Sequence, residues 1–377
     1  MKIIHIIGDL RQGGAESQLE RIILHSSSTI YQHIVISLKN KETPLHNRLT
    51  AAGIKVVSAD FSAANVFFAL FRLRILLKEH ITSASIIQCW MYHANFLGAL
   101  AAWSLGIPDK VVWNVRRTLL PSGALGVISK LSTKLSHYLP VHIVCCAQAA
   151  KNSHVAAGYN EKKMTLIHNG IDTELFTPNS NKRNAFRECI GINNKTLVIG
   201  MVGRYAKVKG HIYLLKALLM LKASNTDLFR NIKLILVGRS INEADELQGL
   251  LAQLKDNVII VKERPDIYNI MPAFDFLCLP SESEGFPNVV AEAMACGVPA
   301  LVTNVGDAAL IVDNKEWVVQ PCDVEALSNG ITYMATSLDS MSSNFSVNIR
   351  NKIVNRFSVQ VAWANYLKIY NKIIKSN

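Results

Sequence analysis

Two carboxylates, Glu284 and Glu292, sit in one short stretch: Pro280-Ser281-Glu282-Ser283-Glu284-Gly285-Phe286-Pro287-Asn288, followed by VVAEAMACG. The pattern predicts a strand ending at Leu279, a polar loop, and a helix opening near Pro287. Proline suits a first helical turn, because its missing N–H is not needed there. Gly297 is expected to stop the helix. A helix N-terminus at a strand end can hold phosphate. Ionised carboxylates only accept hydrogen bonds, which suits them to hydroxyl groups. Glu292 lies inside an otherwise apolar run and needs a partner there. The plainer alternative is that Glu284 favours the helix dipole and Glu292 is a surface charge.

Cations mark a second loop, Gly203-Arg204-Tyr205-Ala206-Lys207-Val208-Lys209-Gly210, after the run LVIGMVG. Arginine matches a phosphate geometrically and lysine acts as a point charge. Placed cations stabilise charge that builds on a leaving diphosphate. In the first half, Gly8-Asp9-Leu10-Arg11-Gln12-Gly13-Gly14-Ala15-Glu16 follows the opening strand. Its glycines let backbone approach a ligand closely, but this is no GxGxxG fingerprint. Glu16 serves that loop or the first turn of the next helix. His93, after SIIQCW, is at a strand end where it can hydrogen-bond a sugar hydroxyl or an acceptor, or is structural. Asn114, Arg116 and Arg117 follow KVVWNV in the same way.

Strands must position these loops. Short β-branched runs recur at 2–7, 33–38, 54–59, 85–90, 110–115 and 142–147, then at 197–203, 233–238, 257–262, 274–280 and 299–304. They lack strict polar alternation, as expected of strands covered on both faces. Alternation with helical stretches implies an α/β fold of parallel sheets. The rhythm breaks between about 168 and 196, in a stretch rich in Asn and Gly. Two doubly wound, Rossmann-like domains follow: 1–170 and 171–356, with a basic amphipathic helix at 357–377 returning to the first. Ligands of such domains bind outside the carboxyl ends of the strands, so two facing domains are expected to share a cleft.

At this point the chain resembles the family 4 glycosyltransferases of the GT-B fold over nearly its whole length. The resemblance rests on the Glu-x7-Glu pattern, Glu284 to Glu292 in EGFPNVVAEAMACGVP, and on Arg204 and Lys209 in VGRYAKVKG. It implies that Arg204 and Lys209, beside Gly203, contact a donor diphosphate. Glu292 would bind ribose and Glu284 the transferred sugar, near the backbone of Gly285, Phe286 and Asn288. Gly13 and Gly14, in GGAE, would line the donor phosphate and acceptor. Arg264 and Pro265 would cradle the base. The family often carries a histidine where Arg116 and Arg117 stand, and this departure points to an acidic or phosphorylated acceptor. Another departure is Asn304, where relatives carry an acidic residue. The implied activity is retaining transfer of a hexosyl or N-acetylhexosaminyl group. UDP-sugars rank first as donors. The acceptor is a glycan or lipid-linked oligosaccharide of a bacterial surface polysaccharide. No cofactor is expected, since the nucleotide sugar is a substrate, and no metal, since no aspartate-x-aspartate motif is present. A nucleotide-sugar epimerase of the same fold and, from a different class, a basic nucleic-acid-binding protein are the rival readings.

Composition bounds the rest. Of 377 residues, 50% are hydrophobic and 18% charged, which argues against disorder. The net charge is +12, and residues 1–180 hold 18 Lys and Arg against 10 Asp and Glu. A basic half suits an anionic surface or substrate. A nucleic-acid partner is not expected, because no aromatic-basic strand or helix-turn-helix signature accompanies the charge. The basic apolar runs 65–80 and 119–139 suit a membrane interface or packing on the sheet. Seven scattered cysteines suggest a reducing compartment. The opening strand does not look like a signal peptide, and no run of about 18 apolar residues occurs. A cytoplasmic protein, peripheral on the inner membrane face, is the expectation.

Overall fold

A computed structural model describes residues 1–11, 13–27, 30–39, 42–62, 65–338 and 344–376. Gln12, in the first glycine loop, lies outside them. The chain forms two compact units, Met1–Gly170 with Val359–Asn377, and Ile171–Ser358.

The first unit holds seven parallel strands: β1 (Lys2–Ile7), β2 (Gln32–Ser37), β3 (Lys55–Ser58), β4 (Ser85–Trp90), β5 (Val111–Val115), β6 (His142–Cys145) and β7 (Met164–Leu166). Their order is β3-β2-β1-β4-β5-β6-β7. The period of two divides each strand between two faces. Ile4, Ile6, Ile87, Cys89 and Trp113 pack under helices Val66–His80 and Met91–Ser104. Ile3, Ile7, Val35, Ile86 and Trp90 pack on the other face. That face is covered by Leu19, Ile22 and Ile23 of helix Gly14–Ser26 and by Trp363, Tyr366, Tyr370 and Ile373 of helix Val359–Ser376. The terminal helix therefore begins at Val359. Phe357 instead closes helix Phe345–Phe357, and Ser358 bridges Ile171.

A one-way chain of hydrogen bonds runs through this second core. Trp90 Nε1 donates to His5 Nδ1 at 3.1 Å, and His5 Nε2 lies 2.9 Å from His33 Nδ1. His33 Nε2 lies 3.0 Å from Ser26 Oγ, whose hydroxyl donates to the Ile22 carbonyl. Indole N–H can only donate, so each imidazole must accept at Nδ1 and donate at Nε2. Both rings are neutral. Burial holds His33 down at about 4, and burial with the neighbouring His33 holds His5 well below its ordinary 6.5. Because the folded values lie below the unfolded ones, their contribution to stability is present above pH 6.5 and is lost as pH falls toward 4. A drop of about 3 kcal/mol is expected from His33 alone over that window. Tryptophan fluorescence reports it, since Trp90, Trp103, Trp113 and Trp363 all belong to this unit. A urea midpoint unchanged from pH 7 to 5 would contradict the neutral chain.

The second unit holds six parallel strands: β8 (Leu197–Val202), β9 (Ile232–Val237), β10 (Val258–Val261), β11 (Phe276–Leu279), β12 (Ala300–Thr303) and β13 (Val318–Val319). Their order is β10-β9-β8-β11-β12-β13. Both sheets reverse direction of growth once, between β1 and β4 in the first and between β8 and β11 in the second. A crevice opens at such a switch point, outside the carboxyl ends of the strands.

Candidate active site

The switch point of the second unit is framed by the loops after β8 and β11. They touch through backbone. Gly210 has φ +73°, and a Cβ there would overlap the Pro280 carbonyl oxygen and lie 2.7 Å from its carbon. Glu282 N donates to Val208 O at 2.8 Å, a second tie between them. On this clamp Lys209 Nζ donates to Glu284 Oε1 at 2.7 Å. Ser281, fully buried, donates its hydroxyl to the same oxygen at 2.7 Å. A third loop, after β12, closes from the other side. Gly306, at φ +55°, leaves no room for a Cβ against the Gly285 and Glu284 carbonyl oxygens. Asp307 N donates to Gly285 O at 2.9 Å, and Thr303 Oγ1 donates to Ser281 O at 2.6 Å. Glu284 is therefore held by a cation, a hydroxyl and three interlocked backbones.

Other expected donor-side residues fall around this pair. Helix Asn288–Ala295 opens one residue after the expected Pro287, which serves as its N-cap. Glu292 lies on that helix, 8% exposed between Ala291 and Ala293. Its charge, after burial, helps push the Cys296 thiol up to about 12. Phe286 is buried edge-on against Phe357, with ring centroids 5.3 Å apart. Gly285 and Asn288 are half-buried at the same junction. Gly203 follows β8, its N donating to Val237 O. Arg204 is exposed, 3.4 Å from the Tyr205 carbonyl, and forms no ion pair among the described residues. A guanidinium so placed can meet an incoming anion. Arg264 instead grips Asp266 with both fork nitrogens at 2.5 Å, beside exposed Pro265.

In the first unit the switch-point loops carry a different chemistry. Asp9 is gripped by Arg11 at 3.0 and 2.7 Å. Glu16 folds back over Gly13, where a Cβ would overlap its Oε2. Burial raises the Glu16 carboxyl, against its bond to its own backbone N–H. Glu16 thus serves the first turn of helix Gly14–Ser26, while Gly14 is exposed. His93 is half-buried in the first turn of helix Met91–Ser104.

Asn114 calls for a correction. It is fully buried, not turned to an acceptor. Its amide donates to Tyr366 Oη at 2.6 Å, its Oδ1 accepts from Arg116 at 3.2 Å, and Asn95 bonds its backbone. Arg116 also donates to Asn169 and lies 5.3 Å over the Trp90 ring. Both residues anchor the terminal helix and the end of this unit, and Arg117 alone of the three is exposed. Ser281, Thr303 and Gly306 were not singled out from sequence. The one available signal was a small hydroxyl residue three positions before Glu284.

Two doubly wound parallel sheets, the second with a lysine-carboxylate pair at its switch point, define a glycosyltransferase of the GT-B class. Residues 182–352 match the family described as glycosyl transferases group 1, and residues 12–175 match Glycosyltransferase Family 4. Together the matches span both units, and the chain belongs to the family 4 glycosyltransferases. It is 28% identical over 320 residues to the capsular polysaccharide biosynthesis glycosyltransferase CapM of Staphylococcus aureus, covering 81% of each chain. It is 26% identical over 299 residues to an Escherichia coli UDP-Gal:alpha-D-GlcNAc-diphosphoundecaprenol alpha-1,3-galactosyltransferase, covering 77% of this chain and 76% of that one. Its fold matches HepE of Anabaena, solved in complex with UDP, with a TM-score of 0.84 at 20% identity over 99% of this chain and 100% of that one.

Proposed function

We propose that the chain moves a hexosyl or N-acetylhexosaminyl group from a UDP-sugar to a hydroxyl of a glycan or lipid-linked acceptor, with retention, in bacterial surface polysaccharide synthesis. The observation that carries this reading is Lys209 and Ser281 sharing one oxygen of Glu284 at the switch point. The arrangement fixes a carboxylate for sugar hydroxyls next to a cation for phosphate. The named activities of the CapM and galactosyltransferase relatives support the polysaccharide and UDP assignments.

In the proposed step the bond between the anomeric carbon and the diphosphate oxygen breaks. The acceptor oxygen bonds that carbon on the same face, and its proton passes to the departing diphosphate. Arg204 and Lys209 neutralise the leaving group without a metal. Glu292 holds the ribose hydroxyls as acceptor-only carboxylate.

Peripheral membrane attachment is part of the proposal. No helix among the described residues is long and apolar enough to cross a membrane. Helix Val66–His80 exposes Phe67 (89%), Phe68, Phe71 and Ile75 beside Arg72, Arg74 and Lys78. Apolar side chains amid cations suit an anionic lipid interface. Failure to co-sediment with anionic vesicles at low salt would remove this part.

A thermal-shift panel of nucleoside diphosphates and their sugars, run with EDTA, tests the donor. A ligand at 100 times its Kd stabilises by about 2.7 kcal/mol. The expected result is a shift with UDP and a UDP-sugar that survives EDTA and is lost in Glu292→Ala. A shift with GDP alone would replace the donor, and one abolished by EDTA would end the metal-free mechanism.

A further inference from the structure

Two residues after Lys209 stands a buried imidazole that makes no hydrogen bond. His211 is the first residue of helix His211–Ser224 and is 1% exposed. Neither of its ring nitrogens has a partner among the described residues. A polar group buried without a partner costs stability, and native proteins satisfy nearly all such groups. An apolar side chain would carry no such cost here. The Tyr205 ring, 5.6 Å away at 58°, already offers it an apolar neighbour.

The imidazole faces the carbonyl of Gly203 without closing a hydrogen bond to it. That carbonyl belongs to the peptide that begins Arg204. A peptide unit is planar and stiff, so holding its oxygen sets the direction in which Arg204 leaves it. Other contacts hold the same segment in part. A Cβ on Gly238, just after β9, would overlap the Gly203 oxygen and lie 3.1 Å from Arg204 N. Gly203 N donates to Val237 O at 2.8 Å, and Tyr205 N donates to Arg239 O at 2.9 Å. Tyr205 Oη donates to Glu246 Oε1. The backbone on either side of Arg204 is thus tied to the end of β9, and the Gly203 oxygen is left facing His211. Burial holds this imidazole down at about 4, against the pull of the Gly203 carbonyl and with the Lys209 ammonium adding to the lowering. It is neutral near pH 7, so one nitrogen carries a proton to donate.

We propose that His211 is a positioning residue for Arg204. Its ring N–H closes onto the Gly203 carbonyl as a donor diphosphate draws the guanidinium in, and so fixes the peptide that carries the arginine. In the structure that guanidinium rests 3.4 Å from the Tyr205 carbonyl and pairs with no acid among the described residues. A bond made only with the anion present stabilises the bound state alone and shifts the protein toward it. The stability given up by the stranded imidazole in the free protein is recovered on binding. This rests on the donor-site reading of Arg204 and adds a residue that acts through it.

Calorimetric titration with UDP tests it, beside uridine, which has the same base and ribose but no phosphate. His211→Leu keeps an apolar side chain of similar size and removes both nitrogens. It is expected to leave the Tm unchanged or raise it, because no polar group is then stranded. It is expected to weaken UDP about tenfold, the scale of one hydrogen bond. Uridine should bind both proteins alike. An asparagine amide stands where Nδ1 does and a glutamine amide near Nε2. One of His211→Asn and His211→Gln should therefore recover most of the UDP affinity and identify the donating nitrogen. In an Arg204→Ala background, His211→Leu should weaken UDP further by about twofold at most, since residues that act through one contact are not additive. UDP bound as tightly by His211→Leu as by the wild type overturns the proposal. So does a loss that uridine shares, a tenfold loss that persists without Arg204, or an affinity that neither amide improves over leucine. Arg204→Ala binding UDP as tightly as the wild type would instead overturn the diphosphate role of Arg204, and a wild-type protein that binds no UDP would overturn the donor reading itself.

Discussion

Lys209→Ala lowers the rate of sugar transfer by on the order of 10²–10³, the scale seen when one stabilising contact to developing charge is removed. The fold is expected to survive. The loop that carries Lys209 is set by backbone, through the close approach of Gly210 to Pro280 and the bond from Glu282 N to Val208 O. The Lys209 side chain is 30% exposed, so its removal opens no core cavity. The Glu284 carboxylate keeps the Ser281 hydroxyl, so it is not stranded. Binding of the donor in its ground state should weaken less than the rate, because the charge on the diphosphate is largest as the sugar departs. A fall in kcat larger than the rise in KM is the expected signature, measured with the donor found by the nucleotide panel. Ser281→Ala removes one neutral donor from the same oxygen. It should cost about 1 kcal/mol of transition-state stabilisation, or roughly tenfold at most. If Lys209→Ala were no worse than Ser281→Ala, the lysine would merely hold Glu284 in place and the diphosphate role would be wrong.

The interior strands were legible because a strand covered on both faces must be apolar throughout. IIHII and LVIGMV show it at β1 and β8. Two of the four edge strands were not. β7 spans three residues and β13 two, each with a single neighbour, so neither leaves a run long enough to register. The site divides in the same way. Glu284 and Lys209 stand out because charged residues in loops at strand ends face a crevice. Their meeting at one oxygen depends on a backbone contact between loops 75 positions apart, which no local pattern encodes. Asn114 misled for the converse reason. Position at a strand end says nothing of which face a side chain takes, and its partner Tyr366 lies 252 residues on, in the terminal helix. Arg116 is drawn inward in the same way, bonded to Asn114 and Asn169.

Gly210→Ala is expected to do more damage than any single charge removal in the second unit. Left-handed backbone costs an alanine roughly 1–2 kcal/mol before any contact is counted. The added Cβ also meets the carbonyl oxygen and carbon of Pro280. Those are backbone atoms at the end of β11, and no side-chain rotation can clear them. Relief requires the two loops to part. Parting them breaks the bond from Glu282 N to Val208 O and carries Lys209 off Glu284. The variant should therefore lose several degrees in Tm and also the stabilisation by UDP. Gly249→Ala is the control within the same unit. Gly249 lies in helix Asp245–Gln253, exposed, and an added methyl group there would meet nothing within 4 Å. An alanine there gains about 0.5–1 kcal/mol of helix stability. Opposite signs of ΔTm at these two glycines, with UDP binding kept at one and lost at the other, would establish that the backbone clamp builds the donor site. A Gly210→Ala protein that kept both its Tm and its UDP shift would mean the loops tolerate separation, and that Lys209 reaches Glu284 without the clamp.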